Sequence, residues 1–441
     1  MKKFFTYPVL LIIFLFIVGS ILFGSLLRHH YLGGTKYKFL QKQAIFLAEI
    51  PYNIKRLLKG SATGIPKLDK YKDKERFKQF ISNKRNVLLV LPQYDHSMGS
   101  SRVEIIDLSN FEVIHTFKHD IIKMNRSIKN KKIYKHQTRD KNLKRFIYKH
   151  PLILRDGSLV SHRPLFKIDI CSNLEWINDE EYYHHSITLD HEENIWAVAT
   201  LDQQSVFLEQ FKINSFKDNA IIKLNKEGKI LFKKSVIEIL VENKIFDLNI
   251  VNGQFLRRIK DPIHLNFIEP ALNDTPYWNK GDLFLSIRNQ SAIIHYRPTS
   301  NKIINYITGP FSQQHAPRII SEKEILIFNN NNFLIDNDHS EIMIYNFETE
   351  KFRKIFNEQL QKEDFKSRTN GISHILSDGA LIVEETIHGR IILFNNKGEK
   401  EWEFISKDKN GNISKMNWFR IIEDELFIEN FRSLTKNKEC K

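Results

Sequence analysis

At 441 residues the chain is longer than an ordinary single domain, although barrels, solenoids and propellers reach this size as one unit. Hydrophobic residues at 41% and charged residues at 27% supply a packed core and exclude global disorder. The net charge of +15 comes without zinc-finger spacing, a basic heptad region or an aromatic RNP run, so no nucleic-acid partner is expected, and small anions or a membrane surface fit better.

Lys2 and Lys3 precede an apolar run from about Phe4 to Leu27 that carries no charge and is closed by Arg28, His29 and His30. Over twenty such residues suffice to cross a bilayer as a helix, and the run is long for a cleaved signal peptide. Residues 1–30 are therefore expected to form an uncleaved signal-anchor. The leading lysines put its N-terminus in the cytoplasm. The rest of the chain would then lie on the periplasmic side of an inner membrane crossed once.

Residues 31–85 are expected to form a juxtamembrane helical and linker segment. Between Lys36 and Lys59 the apolar positions Phe39, Leu40, Ala44, Ile45, Phe46, Leu47 and Ile50 alternate with Lys and Gln, and Pro51 interrupts them. This reads as one short amphipathic helix followed by a second. Lys67–Arg85 is highly charged and reads as a helical or irregular linker.

From residue 86 short β-rich runs alternate with turn signals such as Asp156-Gly157, Glu227-Gly228, Asp378-Gly379 and Lys397-Gly398. The clearest unit starts at Gly371-Ile-Ser-His374 and continues through 380–386, 389–394 and 401–405. Four strands in that order make one propeller blade. Comparable units start at His150, His185, His264 and His315, and a less regular one occupies 86–118. The expectation is an all-β, six-bladed propeller over 86–432, with a flexible tail at 433–441. A pair of β-sandwiches fits less well, because the unit recurs with insertions between its members.

His150, His185, His264, His315 and His374 each stand at the start of a blade's first strand. In a propeller that strand lines the central channel, so the five rings are expected to converge. One such histidine is ordinarily a satisfied polar residue, but five at related positions suggest a metal site or nucleophilic and acid–base chemistry. Their neighbours are Arg288, Asn289, Gln290, Gln313, Gln314 and Arg318 rather than thiolates or carboxylates, which suits an oxyanion. No Walker, G-x-S-x-G or H-E-x-x-H motif occurs. No metal or cofactor is expected. Cys171 and Cys440 form neither C-x-x-C nor a zinc framework, and their pairing outside the cytoplasm stays open. Asn329–Asn332 reads as a turn.

The segments Asp261–Leu272, Gly281–Asn289, Gly309–His315 and Gly371–Gly379, in this order and spacing, resemble the bacterial arylsulfotransferase (aryl-sulfate sulfotransferase) family. The resemblance runs from about residue 180 to 406. It implies a six-bladed extracytoplasmic propeller that moves a sulfuryl group from a phenolic sulfate to a phenol through a covalent sulfohistidine, without a nucleotide donor. Matched by motif, His315 is the nucleophile, and His264, Arg288 and Asn289 hold the sulfuryl oxygens. His185 is an acid–base or binding residue, and His150 and His374 are expected to contact substrate. Family members often carry His-Asp where this chain has His315-Ala316, which removes a carboxylate from beside the ring. The alternative is a non-catalytic, membrane-anchored propeller that binds an anionic ligand or a partner protein.

Overall fold

The computed structural model describes residues 6–31, 34, 36–58, 67–130, 132, 144–205, 217–245, 261–332, 339–437 and 440. Lys2 and Lys3, which carry the orientation reading, lie outside them. Helix α1 (Thr6–Tyr31) is long and apolar enough to cross a membrane by length and composition. Helix α2 (Lys38–Leu58) is one helix with Pro51 inside it, where two were expected. One lost backbone hydrogen bond therefore does not end it.

A short strand, β1 (Phe77–Gln79), precedes the first blade. Among the described residues, the strands that follow form six four-stranded units. Blade one holds β2 (Leu88–Asp95), β3 (Ser100–Asp107) and β4 (Glu112–Phe117), followed by α3 (Ile121–Ser127). Blade two holds β5 (Leu152–Ile153), β6 (Leu159–Ser161), β7 (Leu165–Ile168) and β8 (Leu174–Asn178). Blade three holds β9 (Tyr182–Leu189), β10 (Ile195–Thr200), β11 (Asn219–Leu224) and β12 (Ile230–Ser235), with α4 (Val236–Glu242) after it. Blade four holds β13 (Leu265–Pro270), β14 (Leu283–Ile287), β15 (Ala292–Arg297) and β16 (Lys302–Thr308). Blade five holds β17 (His315–Ser321), β18 (Glu324–Asn329), β19 (Glu341–Asn346) and β20 (Lys351–Ile355), then α5 (Asn357–Lys362). Blade six holds β21 (Ile372–Ile375), β22 (Leu381–Glu385), β23 (Arg390–Phe394) and β24 (Lys400–Ile405).

The ring closes from both ends. Strand β25 (Arg420–Ile422) pairs with β2 and supplies the missing inner strand of blade one, and β1 pairs with β24 at the outer edge of blade six. Helix α6 (Glu425–Asn437) follows β25.

Burial explains the composition strand by strand. Middle strands such as β14 and β22 are buried along their whole length, because neighbouring blades cover both faces. Outer strands such as β16 and β20 expose most of their residues and carry the lysines. The core is six apolar wedges, one between each pair of blades. One packs Val90 and Val103 of blade one on Phe166 of blade two, and another packs Phe328 and Ile342 of blade five on Val383 of blade six.

Of the two alternatives for residues 67–85 the structure shows the irregular one: they contain no helix and are bound to blade six. Lys70 and Tyr71 reach the buried carboxylate of Glu385 at 2.9 and 2.7 Å, which Arg390 also contacts at 2.8 Å, and Arg85 pairs with Glu401. Lys70, Lys74 and Arg85 therefore meet buried carboxylates, while most other charges of the stretch face solvent. The end of the chain differs from expectation: it is helical through Asn437, its Phe431 is buried, and Cys440 pairs with Cys171.

Candidate active site

The inner strands share a backbone device. His150, His185, His264, Ala316, Asn370 and Trp418 each have positive φ, between 42° and 67°, and each belongs to a different blade. This left-handed conformation is costly for residues other than glycine. Here it turns the chain at the mouth of the channel, and in β9, β13 and β17 it coincides with a register shift against the next strand. Gly371, beside Asn370, has φ of 129°, and a Cβ there would run into the Phe328 ring.

The turns bring side chains from four blades around the indole of a fifth. Trp418 lies 5.5 Å from the His150 ring, 5.8 Å from His315, 6.2 Å from His185 and 6.0 Å from Phe267, centroid to centroid. His185 in turn lies 5.0 Å from His264. Four of the five expected histidines thus converge. His374 does not join them. It sits inside β21, four residues past the left-handed Asn370, and its Nε2 is 3.2 Å from Glu423.

His315 is buried, and its hydrogen bonds fix its tautomer. Nδ1 faces the Gln313 carbonyl at 3.1 Å and Asn330 Oδ1 at 2.6 Å. Asn330 Nδ2 donates to the carbonyls of Ser367 and Asn370, which sets the amide orientation. Both neighbours of Nδ1 are acceptors, so Nδ1 carries the proton and Nε2 holds a lone pair. Burial, helped by the charges of Arg288 and His264, brings the imidazole down to about 3 against the bond from Asn330. The ring is neutral at physiological pH.

His264 forms a different pair. Its Nδ1 is 2.9 Å from the Asp261 carboxylate, which also accepts from Asn219. Burial pushes Asp261 up, but the bond and charge of His264 prevail and hold the carboxyl below its ordinary range. The carboxylate thus fixes the orientation of the His264 ring.

Arg288 opens a short 3-10 turn after β14, and its guanidinium is braced at both ends. Nη1 donates to Asn289 at 2.8 Å and Nη2 to Gln313 at 2.7 Å. Asn289 spends its own Nδ2 on the Asp261 carbonyl at 2.6 Å. It therefore orients Arg288 and keeps one amide N–H beyond this bond. His185 Nδ1 meets His184 Nδ1 at 2.6 Å, and burial keeps both rings well below the usual imidazole range.

His150 is fully buried. Arg420 Nη2 approaches its Nδ1 at 3.2 Å, and since a guanidinium only donates, Nδ1 accepts and Nε2 carries the proton. That Nε2 has no acceptor among the described residues. Arg420, brought down to about 9 by burial and by the charge of Arg318, also donates to the Pro151 carbonyl at 2.7 Å.

Sequence reasoning missed Asn330, Asp261, Arg420, Trp418 and Glu384. Glu384 is buried in β22 and accepts the backbone N–H groups of Trp418 and Phe419, each at 3.0 Å, and the Thr386 hydroxyl at 2.6 Å. Burial pushes its carboxyl up to about 7 despite these bonds. Among the described residues, no group of three histidine, cysteine or carboxylate side chains is arranged to hold a metal ion.

The sequence profile described as Arylsulfotransferase (ASST) matches residues 161–407, which is more than half of the chain. No curated protein matches the sequence. Similar solved structures include a protein of unknown function from Bacteroides caccae, with TM-score 0.48 and 11% identity over 77% of this chain and all of that one. A catalytically inactive virginiamycin B lyase from Staphylococcus aureus with quinupristin aligns at TM-score 0.38 and 11% identity, covering 74% of this chain and 87% of that chain. A streptogramin B lyase aligns at 0.39 and 10%, covering 78% and 97%.

Proposed function

The chain belongs to the arylsulfotransferase family, and from that premise we propose that it moves a sulfuryl group from a phenolic sulfate to a phenol through a sulfohistidine on His315. The observation that carries this reading is the bare Nε2 of His315, fixed by Asn330 and the Gln313 carbonyl. The carboxylate absent at Ala316 is replaced in function by an amide oxygen from the next strand turn.

His315 Nε2 attacks the sulfur in line with the departing aryl oxygen. The N–S bond forms as the S–O bond breaks, and His264, acting as the general acid with Asp261 behind it, gives its Nε2 proton to the leaving phenolate. An acceptor phenol then passes its proton to His264, its oxygen attacks the sulfur, and the N–S bond breaks. His315 and His264 return to their starting forms. Arg288, with the Nε2–H of His150 and the ring of His185, stabilises the negative charge spread over the sulfuryl oxygens.

The same reading places α1 in a cytoplasmic membrane and the propeller on its periplasmic side. The Cys171–Cys440 disulfide supports an oxidising compartment.

The test uses the full-length chain in detergent with 4-nitrophenyl sulfate, with and without phenol. Phenol-dependent release of nitrophenolate, absent in His315→Ala, is expected, and denaturation without acceptor should leave one sulfuryl group on the protein. Equal release without acceptor would indicate a sulfatase. No release from the folded chain across several aryl sulfates would sink the enzyme reading in favour of a binding propeller.

A further inference from the structure

Beside the histidine cluster lies a narrow cleft, with room of about 20 Å³, whose lysines and amide the transfer chemistry above does not use. It touches the cluster through His185 and Trp418 and then runs along the segment leading into β25. Two half-buried lysines line it. Lys149 directly precedes His150, and Lys415 comes from the approach to Trp418. None of its lining residues is a carboxylate. The nearby Glu384 lies behind Thr386 and is already served by three donors.

Asn417 adds the decisive detail. It lines the cleft, is only 6% exposed, and its Nδ2 has no acceptor among the described residues. Its backbone carbonyl is held by the His150 N–H at 2.8 Å, which fixes the residue in place. A buried amide donor without an acceptor is destabilising, so the cleft favours an accepting group. The charge of Lys149 is also felt inside the cluster, where it adds to burial, His184 and His264 in keeping His185 neutral. The indole of Trp418 supplies a flat apolar wall at the boundary between the two spaces.

We propose that this cleft is a specificity subsite for a carboxylate or other compact oxyanion carried on the aromatic ring of the substrate. Lys149, Lys415 and Asn417 hold the oxyanion, and the ring rests against Trp418 with its reacting oxygen towards His315. The identity of the ring rests on the sulfotransferase reading, whereas the binding of an aromatic oxyanion does not require turnover.

Two measurements on the full-length chain in detergent separate the two ideas. Calorimetric titration with 4-hydroxybenzoate and with phenol should give at least about ten-fold tighter binding of the carboxylate, as one charge-assisted contact predicts. The preference should collapse towards unity in Lys149→Met/Lys415→Met. The single variant Asn417→Leu should reduce it by several fold and serves if the double variant does not fold. Equal binding of the two probes, or a preference untouched by these variants, overturns the subsite. The same two phenols are then compared as sulfuryl acceptors. Transfer without any preference for the carboxylate also overturns the subsite and leaves the sulfotransferase reading in place. Carboxylate-selective binding with no transfer to either acceptor overturns the sulfotransferase reading and leaves the subsite standing.

Discussion

Asn330 Oδ1 lies 2.6 Å from Nδ1 of His315, and the other half of the same amide is anchored on the Ser367 and Asn370 carbonyls. One side chain from the end of β18 therefore decides which nitrogen of the proposed nucleophile is bare. Asn330→Leu should lower kcat by about 10–100-fold with KM little changed, since outer partners of a reacting imidazole act through its orientation. Steady-state kinetics with an aryl sulfate and phenol check this. A rise in KM at constant kcat would assign Asn330 to substrate binding instead.

Arg288 has its fork held between Asn289 and Gln313. Arg288→Met should cost about 10²–10³-fold in kcat, the usual loss when a donor aimed at developing charge is removed. Arg288→Lys keeps the charge but loses the braced plane, so it should recover no more than about ten-fold. Full recovery by lysine would mean that charge alone matters at this position.

The pH profile of the first half-reaction should be level on its acid side. His315 is brought down to about 3, so its nucleophilic form persists through the range where an ordinary imidazole is protonated. The burst of nitrophenolate should not decline through His315 protonation between pH 7 and about 5. A limb centred near 6.5 that moves in His315-site variants would contradict the assignment.

Glu384 gives a stability prediction of defined sign. Its carboxyl is raised from 4.5 to about 7 by burial, so between those values the folded state binds more protons than the unfolded one. Stability from this group is therefore present at low pH and lost as pH rises through 7. A displacement of that size corresponds to about 3 kcal/mol. Glu384→Gln should remove this dependence, so unfolding free energies of variant and parent should diverge by about that amount between pH 4 and 8. Parallel curves would show that the carboxyl ionises normally.

The Cys171–Cys440 disulfide ties the chain end to blade two across a sequence separation of 269. Cys440→Ser should destabilise the non-reduced protein by about 2–4 kcal/mol. Reductant should bring the parent to the same denaturation midpoint. Identical midpoints with and without reductant would mean that the bond adds nothing to the fold.

Much of the ring was legible because its signals are local. The turns at Asp156-Gly157 and Asp378-Gly379, with β-rich runs on either side, mark blades without reference to distant contacts. His150, His185 and His264 were readable because each takes the left-handed bend at an inner strand. His374 misled because a histidine near a strand start looks alike in sequence whether it takes the bend or sits four residues beyond it. The closure was not legible. Arg420–Ile422 is too short to announce itself, and its partner β2 lies at the other end of the propeller sequence. Asn330 was hidden for a similar reason, since its role depends on Ser367 and Asn370, which belong to the connection after α5.

The closure by β25 also sets an order in time. Domains emerging from a ribosome or a translocation channel fold from the N-terminal side as sequence becomes available. Blades two to six contain their own strands and can assemble as they appear, but blade one waits for a strand made after all of them. Trp418 and Arg420 arrive on that same late segment. The pocket around His315 therefore acquires its central wall only when the ring shuts, and a chain halted before residue 418 would carry every candidate catalytic histidine and still lack an assembled site.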